Sequence, residues 1–183
     1  MTDDDTLESL RYPLGRFEAP DTPDAGRIAG WIGQIAALPA ALRALVEGLD
    51  ARQLEVPYRE GGWNARQVVH HLADSHLNSF VRFKWALTED LPIIKPYDEQ
   101  AWARLPDSRD VPVGVSLDLL DALHARWCGL LRGLGPDELC REFEHPESGR
   151  IRLDGNIGLY AWHGRHHLEH IRALAVRQGW VPN

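Results

Sequence analysis

The sequence predicts an all-α fold, a four-helix bundle with long connections and a small hairpin before the last helix. Apolar residues recur at helical spacing in four segments, each of roughly 20 residues, a length that suits a bundle. Stretches rich in Pro, Gly and Asp separate these segments. Apolar residues make up 44% of the 183 residues, enough to form a sizeable core.

The first two long helices carry clear local signals. The first is predicted over 27–49, where Pro39 is expected to kink or interrupt it. The second is predicted to begin after Asn64, which has capping-box spacing to Gln67, and to run to about Thr88. Both segments therefore have a predicted start and a predicted length.

The other two long helices lie in the second half of the chain. Ser116 is predicted to be the N-cap of the third, which ends near Gly133 or Gly135. Asp154 is predicted to cap the last, which continues to about Gln178, with Gly179 just after it. Shorter elements are expected between the long ones: helices over 97–105 and 136–143 and a hairpin within 142–153.

Domain organisation and cellular setting follow from composition. Residues 1–21 are acidic and proline-containing without a clear period, so we expect an extended N-terminal arm followed by a single domain over 22–183. The net charge of −7 argues against nucleic-acid binding. The acidic start does not resemble a signal peptide, and no apolar run approaches a membrane span. Two cysteines, Cys128 and Cys140, give no disulfide framework, so we expect a cytoplasmic protein.

Four of the nine histidines fall between His163 and His170 on the last predicted helix. Because residues four apart share a helix face, spacing alone leaves two candidate pairs, His163 with His167 and His166 with His170. The neighbouring residues favour the first pair as the inward one and place the second at the flank. The inward face would also carry Tyr160, Ile171 and Leu174, and the solvent face Arg165, Glu169 and Arg172.

Two neutral imidazoles one helical turn apart can bind a single Zn²⁺ or Ni²⁺. The HExxH motif of metalloproteases is excluded, because Gly164 stands where that motif has Glu. A third ligand could come from the second helix, which offers His70, His71 and His76. The alternative for the pair on the last helix is that these histidines are buried structural residues. On the second helix, the polar stripe that contains His71 could be a solvated face or line a wet pocket, and periodicity does not decide between the two.

The motifs YPLG, YREGGWNARQVVHHLADSHLNSF, RFKWALTED, IKPYDEQAW, LHARWCGLLR and GLYAWHGRHHLEHI together resemble the DinB superfamily. Within it, the chain closely resembles the YfiT-type metal-dependent hydrolases, from Tyr12 onwards. The resemblance implies a four-helix bundle that is a homodimer and holds one divalent metal, zinc or nickel, per chain. The implied ligands are His71, His163 and His167.

Three functions are compatible with such a site. The resemblance implies hydrolysis of a small substrate by metal-activated water, or transfer of a low-molecular-weight thiol such as bacillithiol or mycothiol to an electrophile. The third is a non-enzymatic metal-binding stress protein. The candidate residues for proton transfer are Asp74, His166 and His170. The candidates for substrate binding are Asn78, Arg82 and Tyr97, with Tyr58, Arg59 and Asp98 at the mouth of a pocket.

Overall fold

The computed structural model describes residues 3–181 and confirms a four-helix bundle with a small hairpin. The long helices α2, α4, α7 and α9 form the bundle; α2 packs on α7 and α9, and α4 packs on the same two helices. Short helices and the antiparallel hairpin fill the connections. The elements are α1 (Asp3–Arg11), α2 (Ala25–Val46), α3 (Ala51–Leu54), α4 (Ala65–Thr88), α5 (Glu99–Trp102), α6 (Pro106–Asp110), α7 (Val113–Arg132), α8 (Pro136–Leu139), β1 (Glu142–His145), β2 (Gly149–Arg152) and α9 (Leu153–Arg177).

The predicted start of α4 is confirmed. The Asn64 side chain accepts a hydrogen bond of 2.8 Å from the Gln67 main-chain N–H. The Gln67 side chain accepts one of 3.1 Å from the Asn64 N–H. This capping box satisfies two donors that the helix itself leaves free. It fixes the start of the helix that carries His71.

Two predicted caps are wrong. Helix α7 begins at Val113, and the Ser116 hydroxyl lies 2.7 Å from His70 Nδ1 instead of capping the helix. Asp154 lies inside the first turn of α9, where its carboxylate accepts a hydrogen bond of 2.6 Å from Arg152. In both cases the side chain that was predicted to cap a helix hydrogen-bonds to another residue, His70 for Ser116 and Arg152 for Asp154.

Helix α2 runs through Pro39 without interruption. Its 22 residues and mean hydropathy of 1.4 would allow it to cross a membrane, contrary to the expectation that no segment reaches that limit. Its large side chains nevertheless face the protein core: Ile35 is 1% exposed and Leu42 is fully buried. Its outward face is mostly Ala and Gly.

The N-terminal segment is not the extended arm that was predicted, because 3–11 form helix α1. The helix has nine residues and is mostly polar, and its two apolar residues, Leu7 and Leu10, are too few to predict a helix from sequence. Arg11 in its last turn complements the helix dipole. The chain after it packs on α9, where the Trp162 indole N–H donates to the Gly15 carbonyl at 3.2 Å.

The core consists of two apolar clusters with a polar layer near their junction. One cluster contains Ile35, Phe83 and Trp127; the other contains Leu42, Leu72 and further apolar side chains. On α4 the polar residues between the clusters are Ser75, His76 and Ser79, and on α9 they are His163 and His167. The bundle therefore buries imidazoles where an ordinary core would carry aliphatic side chains.

Candidate metal centre

Helices α4 and α9 bring together the three histidines implied by the resemblance. His71 comes from α4, and His163 and His167 lie one turn apart on α9. One nitrogen from each ring lies within 4.8 Å of the others. His71 and His167 are buried and His163 is half-buried. The chain thus folds the predicted ligand set into one cluster.

Two of the three facing nitrogens have the spacing that a tetrahedral metal ion requires. His71 Nε2 lies 3.3 Å from His163 Nε2. Nitrogens at the usual distance from zinc are about 3.3–3.4 Å apart at tetrahedral angles. Two neutral imidazoles that face each other through lone pairs repel, and a cation between them removes that repulsion. The residues therefore fit one divalent ion.

Burial keeps these three imidazoles neutral. Loss of solvation lowers the pKa of His71 to about 3, with a further contribution from the nearby His166 and His170. Burial and the neighbouring imidazoles also lower the pKa of His163 and His167 well below the ordinary value. Because only a neutral imidazole has a free lone pair, all three are ready to bind a metal at neutral pH.

The outer nitrogens of the α9 pair also have partners. His163 Nδ1 lies 3.3 Å from His76 Nε2. His167 Nδ1 lies 3.3 Å from His170 Nδ1. Hydrogen bonds of this kind orient metal-binding histidines in other proteins. They place His76 and His170 directly behind the inner rings.

His166 and His170 lie deeper than the sequence indicated. They were expected at the flank of the bundle, but they are only 6% and 3% exposed. Tyr58 stacks on His170, with ring centroids 4.0 Å apart, and Tyr12 lies over His166. The connections cover this face of α9, which periodicity within the helix does not report. His70 has a different environment, since its ring nitrogens contact the Ser116 hydroxyl and the Val111 carbonyl.

Asp74 and Tyr97 have perturbed acid–base properties. Burial, with a smaller contribution from Asp107, raises the pKa of Asp74 to about 6. Burial and the nearby Glu99 carboxylate raise the pKa of Tyr97. The Tyr97 hydroxyl is buried and makes no well-formed hydrogen bond within 3–181, although Ser75 lies close. It remains a neutral O–H donor.

Asn78 and Arg82, the other two residues predicted to bind substrate, have different partners. The Asn78 amide donates a hydrogen bond of 2.9 Å to the Asp74 carbonyl on its own helix. Arg82 is half-buried, and its charge acts to lower the pKa of Glu99 and Tyr160. Of these two residues, Arg82 is the one whose charge acts on the polar side chains beside the histidines.

A polar cavity of about 180 Å³ opens onto His166, His167 and His170. Tyr58 and Arg59 line it, as the sequence suggested, whereas Asp98 caps α5. The sequence did not indicate the other lining residues, which include Arg11, Tyr12, Trp63 and Gln100. A larger apolar cavity of about 660 Å³ lies elsewhere, between α2 and the ends of α7 and α8, and contains none of the histidines.

Gly164 lies at the contact between α9, which carries His163, and α2. A Cβ atom at this position would lie 2.5 Å from Leu38 Cδ2 on α2 and 3.4 Å from His76. Glycine therefore lets α9 approach α2 closely. The same contact leaves no room for the Glu of an HExxH motif.

Comparisons with known proteins agree with this architecture. The DinB superfamily model matches residues 34–171. The chain is 53% identical over 174 residues to a protein of Bacillus mycoides named as a candidate metal-dependent hydrolase, covering 95% of this chain and all of the relative. A protein of Oceanobacillus iheyensis with the same description is 51% identical over 170 residues, covering 93% of this chain and 98% of the relative.

Two solved structures share the fold. YfiT from Bacillus subtilis, described as a candidate metal-dependent hydrolase with an unusual four-helix bundle topology, superposes with a TM-score of 0.93. It is 46% identical, and the match covers 94% of this chain and 99% of YfiT. A second four-helix bundle protein matches with a TM-score of 0.56 over 80% of this chain and 98% of its own; at 24% identity it supports the fold alone.

Proposed function

Since this chain belongs to the DinB superfamily, we propose that it is a metal-dependent hydrolase of a small molecule. The observation that carries the proposal is the convergence of His71, His163 and His167, with the first two Nε2 atoms 3.3 Å apart. The similarity to proteins named as candidate metal-dependent hydrolases supports it. Imidazole suits zinc and nickel equally, so either ion fits the proposal.

A divalent ion bound to three neutral imidazoles would act as a Lewis acid and activate a nucleophile at neutral pH. The chain's own residues supply the remaining functions. Asp74, with a pKa of about 6, is suited to accept and return a proton near neutral pH. The Tyr97 hydroxyl is buried beside Ser75 without a well-formed bond within 3–181, so it could donate to a group that reaches these polar side chains, although Tyr97 does not line the polar cavity.

The polar cavity indicates which substrates could enter. Its volume of about 180 Å³ suits a small molecule rather than a protein segment. Arg11 and Arg59 at its wall favour a substrate that carries a negative charge. The same feature is compatible with transfer of a thiol that carries carboxylates, such as bacillithiol. That reaction is therefore the second candidate.

The test is an activity screen on zinc- and nickel-loaded protein. One arm offers small amides and esters, and the other offers a low-molecular-weight thiol with monochlorobimane. We expect metal-dependent hydrolysis that His71→Ala abolishes. His145→Ala is the matched control, because His145 lies on the hairpin rather than on α4 or α9, and its ring accepts a hydrogen bond from the Glu147 N–H.

Two outcomes would overturn the proposal. Metal-dependent consumption of thiol without hydrolysis would assign the chain to the thiol transferases. Stoichiometric metal binding with no turnover in either arm would favour a non-enzymatic metal-binding protein.

A further inference from the structure

A chain of buried imidazoles runs from His163 to the main chain of α2. His163 Nδ1 lies 3.3 Å from His76 Nε2, and His76 Nδ1 lies 2.9 Å from His124 Nε2. His124 Nδ1 lies 2.7 Å from the Ile35 carbonyl oxygen. His76 and His124 are 0% and 2% exposed, and their rings stack at 4.9 Å. Bulk solvent therefore does not reach His76 or His124.

Pro39 provides the carbonyl at which this chain ends. In an α-helix the carbonyl of residue 35 accepts a hydrogen bond from the N–H of residue 39. Proline has no N–H, so Pro39 leaves the Ile35 carbonyl without its helical donor. The imidazole of His124 supplies the missing donor. The proline inside α2 thus creates an acceptor in the bundle interior.

The Ile35 carbonyl fixes which atom donates and which accepts in every hydrogen bond between these imidazoles. A carbonyl only accepts, so His124 Nδ1 carries its proton and its Nε2 has a lone pair. His76 must then donate from Nδ1, which leaves its Nε2 to accept from His163 Nδ1–H. The consequence at the inner end is that His163 presents an unprotonated Nε2 toward His71.

A shorter series of hydrogen bonds fixes the tautomer of His167 in the same way. The Arg11 carbonyl lies 3.1 Å from His170 Nε2, and His170 Nδ1 lies 3.3 Å from His167 Nδ1. The carbonyl requires the His170 proton on Nε2, so His170 Nδ1 accepts from His167 Nδ1–H. Arg11 is the last residue of α1, where helix carbonyls lack partners within the helix. His167 therefore also turns an unprotonated Nε2 inward.

We propose that His76, His124 and His170 are positioning residues that hold His163 and His167 in the Nδ1–H tautomer, so that both present Nε2 to the metal. The chains end on carbonyls that Pro39 and the end of α1 make available. This inference rests on the metal site of the proposed function but not on the reaction, so a protein that binds metal and hydrolyses nothing would leave it intact.

The direct test is the tautomeric state of each histidine in the metal-free protein, measured by long-range ¹H–¹⁵N correlation spectra at pH 7.5. We expect Nδ1–H for His76, His124, His163 and His167, and Nε2–H for His170. The opposite assignment of His170 within this group makes the pattern specific. An Nε2–H tautomer at His76 or His163 would overturn the proposal.

Paired variants test the effect on metal affinity. His124→Leu removes the acceptor for His76 Nδ1–H, so we expect zinc affinity to fall about 10–100-fold, the usual cost of losing a partner behind a metal ligand. His124→Gln keeps an oxygen that can accept this hydrogen bond and should bind zinc close to the wild-type level. His145→Leu serves as the control for loss of an unrelated histidine.

Affinity is measured by competition with a chromophoric chelator, and folding by circular dichroism. Equal zinc affinity of the folded Leu and Gln variants would contradict the proposal. If His124→Leu does not fold, the affinity of His124→Gln and the wild-type tautomer pattern decide the question, because both use folded protein.

Discussion

At the scale of single residues, one side-chain type takes several roles according to its neighbours. His71, His163 and His167 turn toward one another, whereas His70 contacts Ser116 at the start of α7. The spacing and the family resemblance were sufficient to predict the inner three. They did not single out His124, because a lone histidine among Leu123 and other apolar residues of α7 resembles any buried residue until its partners on other helices are known.

The Tyr97 hydroxyl gives a prediction at this scale. A buried hydroxyl without a good hydrogen bond costs about 1–3 kcal/mol of stability, so Tyr97→Phe should leave the free energy of unfolding unchanged or raise it. If the hydroxyl contacts the substrate, hydrolysis should slow by about 100-fold or more. Urea unfolding and steady-state kinetics check the two effects. A loss of stability together with unchanged turnover would show that the hydroxyl has a structural role only.

At the scale of elements, local signals predicted helices better than their caps. The capping box at Asn64 is formed as predicted, since both partners belong to the same turn. The predictions that Ser116 and Asp154 cap helices were wrong, because their side chains hydrogen-bond to His70 and Arg152 instead. Similarly, the sequence predicted that Pro39 would disturb α2 but could not reveal the donor on α7 that uses the freed carbonyl.

At this scale, the close contact between Gly164 on α9 and Leu38 on α2 can be tested by substitution. Gly164→Ala would press a methyl group against Leu38, so we expect a loss of about 1–3 kcal/mol in the free energy of unfolding. Zinc affinity should also fall, because α9 carries His163 next to this contact. Urea unfolding and a zinc titration measure the two effects.

Gly129→Ala is the matched control for this substitution. Gly129 lies in the interior of α7, and a Cβ atom there meets nothing within 4 Å. We expect it to raise stability by about 0.5–1 kcal/mol, the usual gain of alanine over glycine in a helix. Equal effects of the two substitutions would refute the role assigned to Gly164.

At the scale of the whole molecule, the bundle places a polar layer of histidines between two apolar clusters and covers it with the N-terminal segment. The sequence predicted the bundle because its four long helices are amphipathic. It did not predict α1, which has only two apolar residues within Asp3–Arg11 and whose last carbonyl contacts a histidine 159 positions away. Local sequence patterns predicted the helices, but they could not predict contacts between residues that are far apart in the sequence.

The buried histidines predict how stability depends on pH. Burial lowers the pKa of His166 and His170 to about 4 in the folded protein, from an ordinary value of 6.5. Between these values the unfolded chain binds more protons, so the free energy of unfolding of metal-free protein should fall as pH drops from 6.5 to 4. The slope is at most about 1.4 kcal/mol per histidine per pH unit.

Asp74 acts in the opposite direction over part of this range, because its pKa is raised to about 6 from 3.8. The histidines outnumber it, so their sign should prevail. Urea unfolding at pH 7, 6 and 5 measures the change. A free energy of unfolding that stays constant or rises on acidification would show that these imidazoles are not buried in the neutral form.

The most direct test of the metal site is a calorimetric titration of chelator-stripped protein with zinc and with nickel. We expect one ion bound per chain, loss of this binding in His71→Ala, and wild-type binding in His145→Ala. No binding of either ion, or unchanged affinity in His71→Ala, would contradict the claim that His71, His163 and His167 form a metal site.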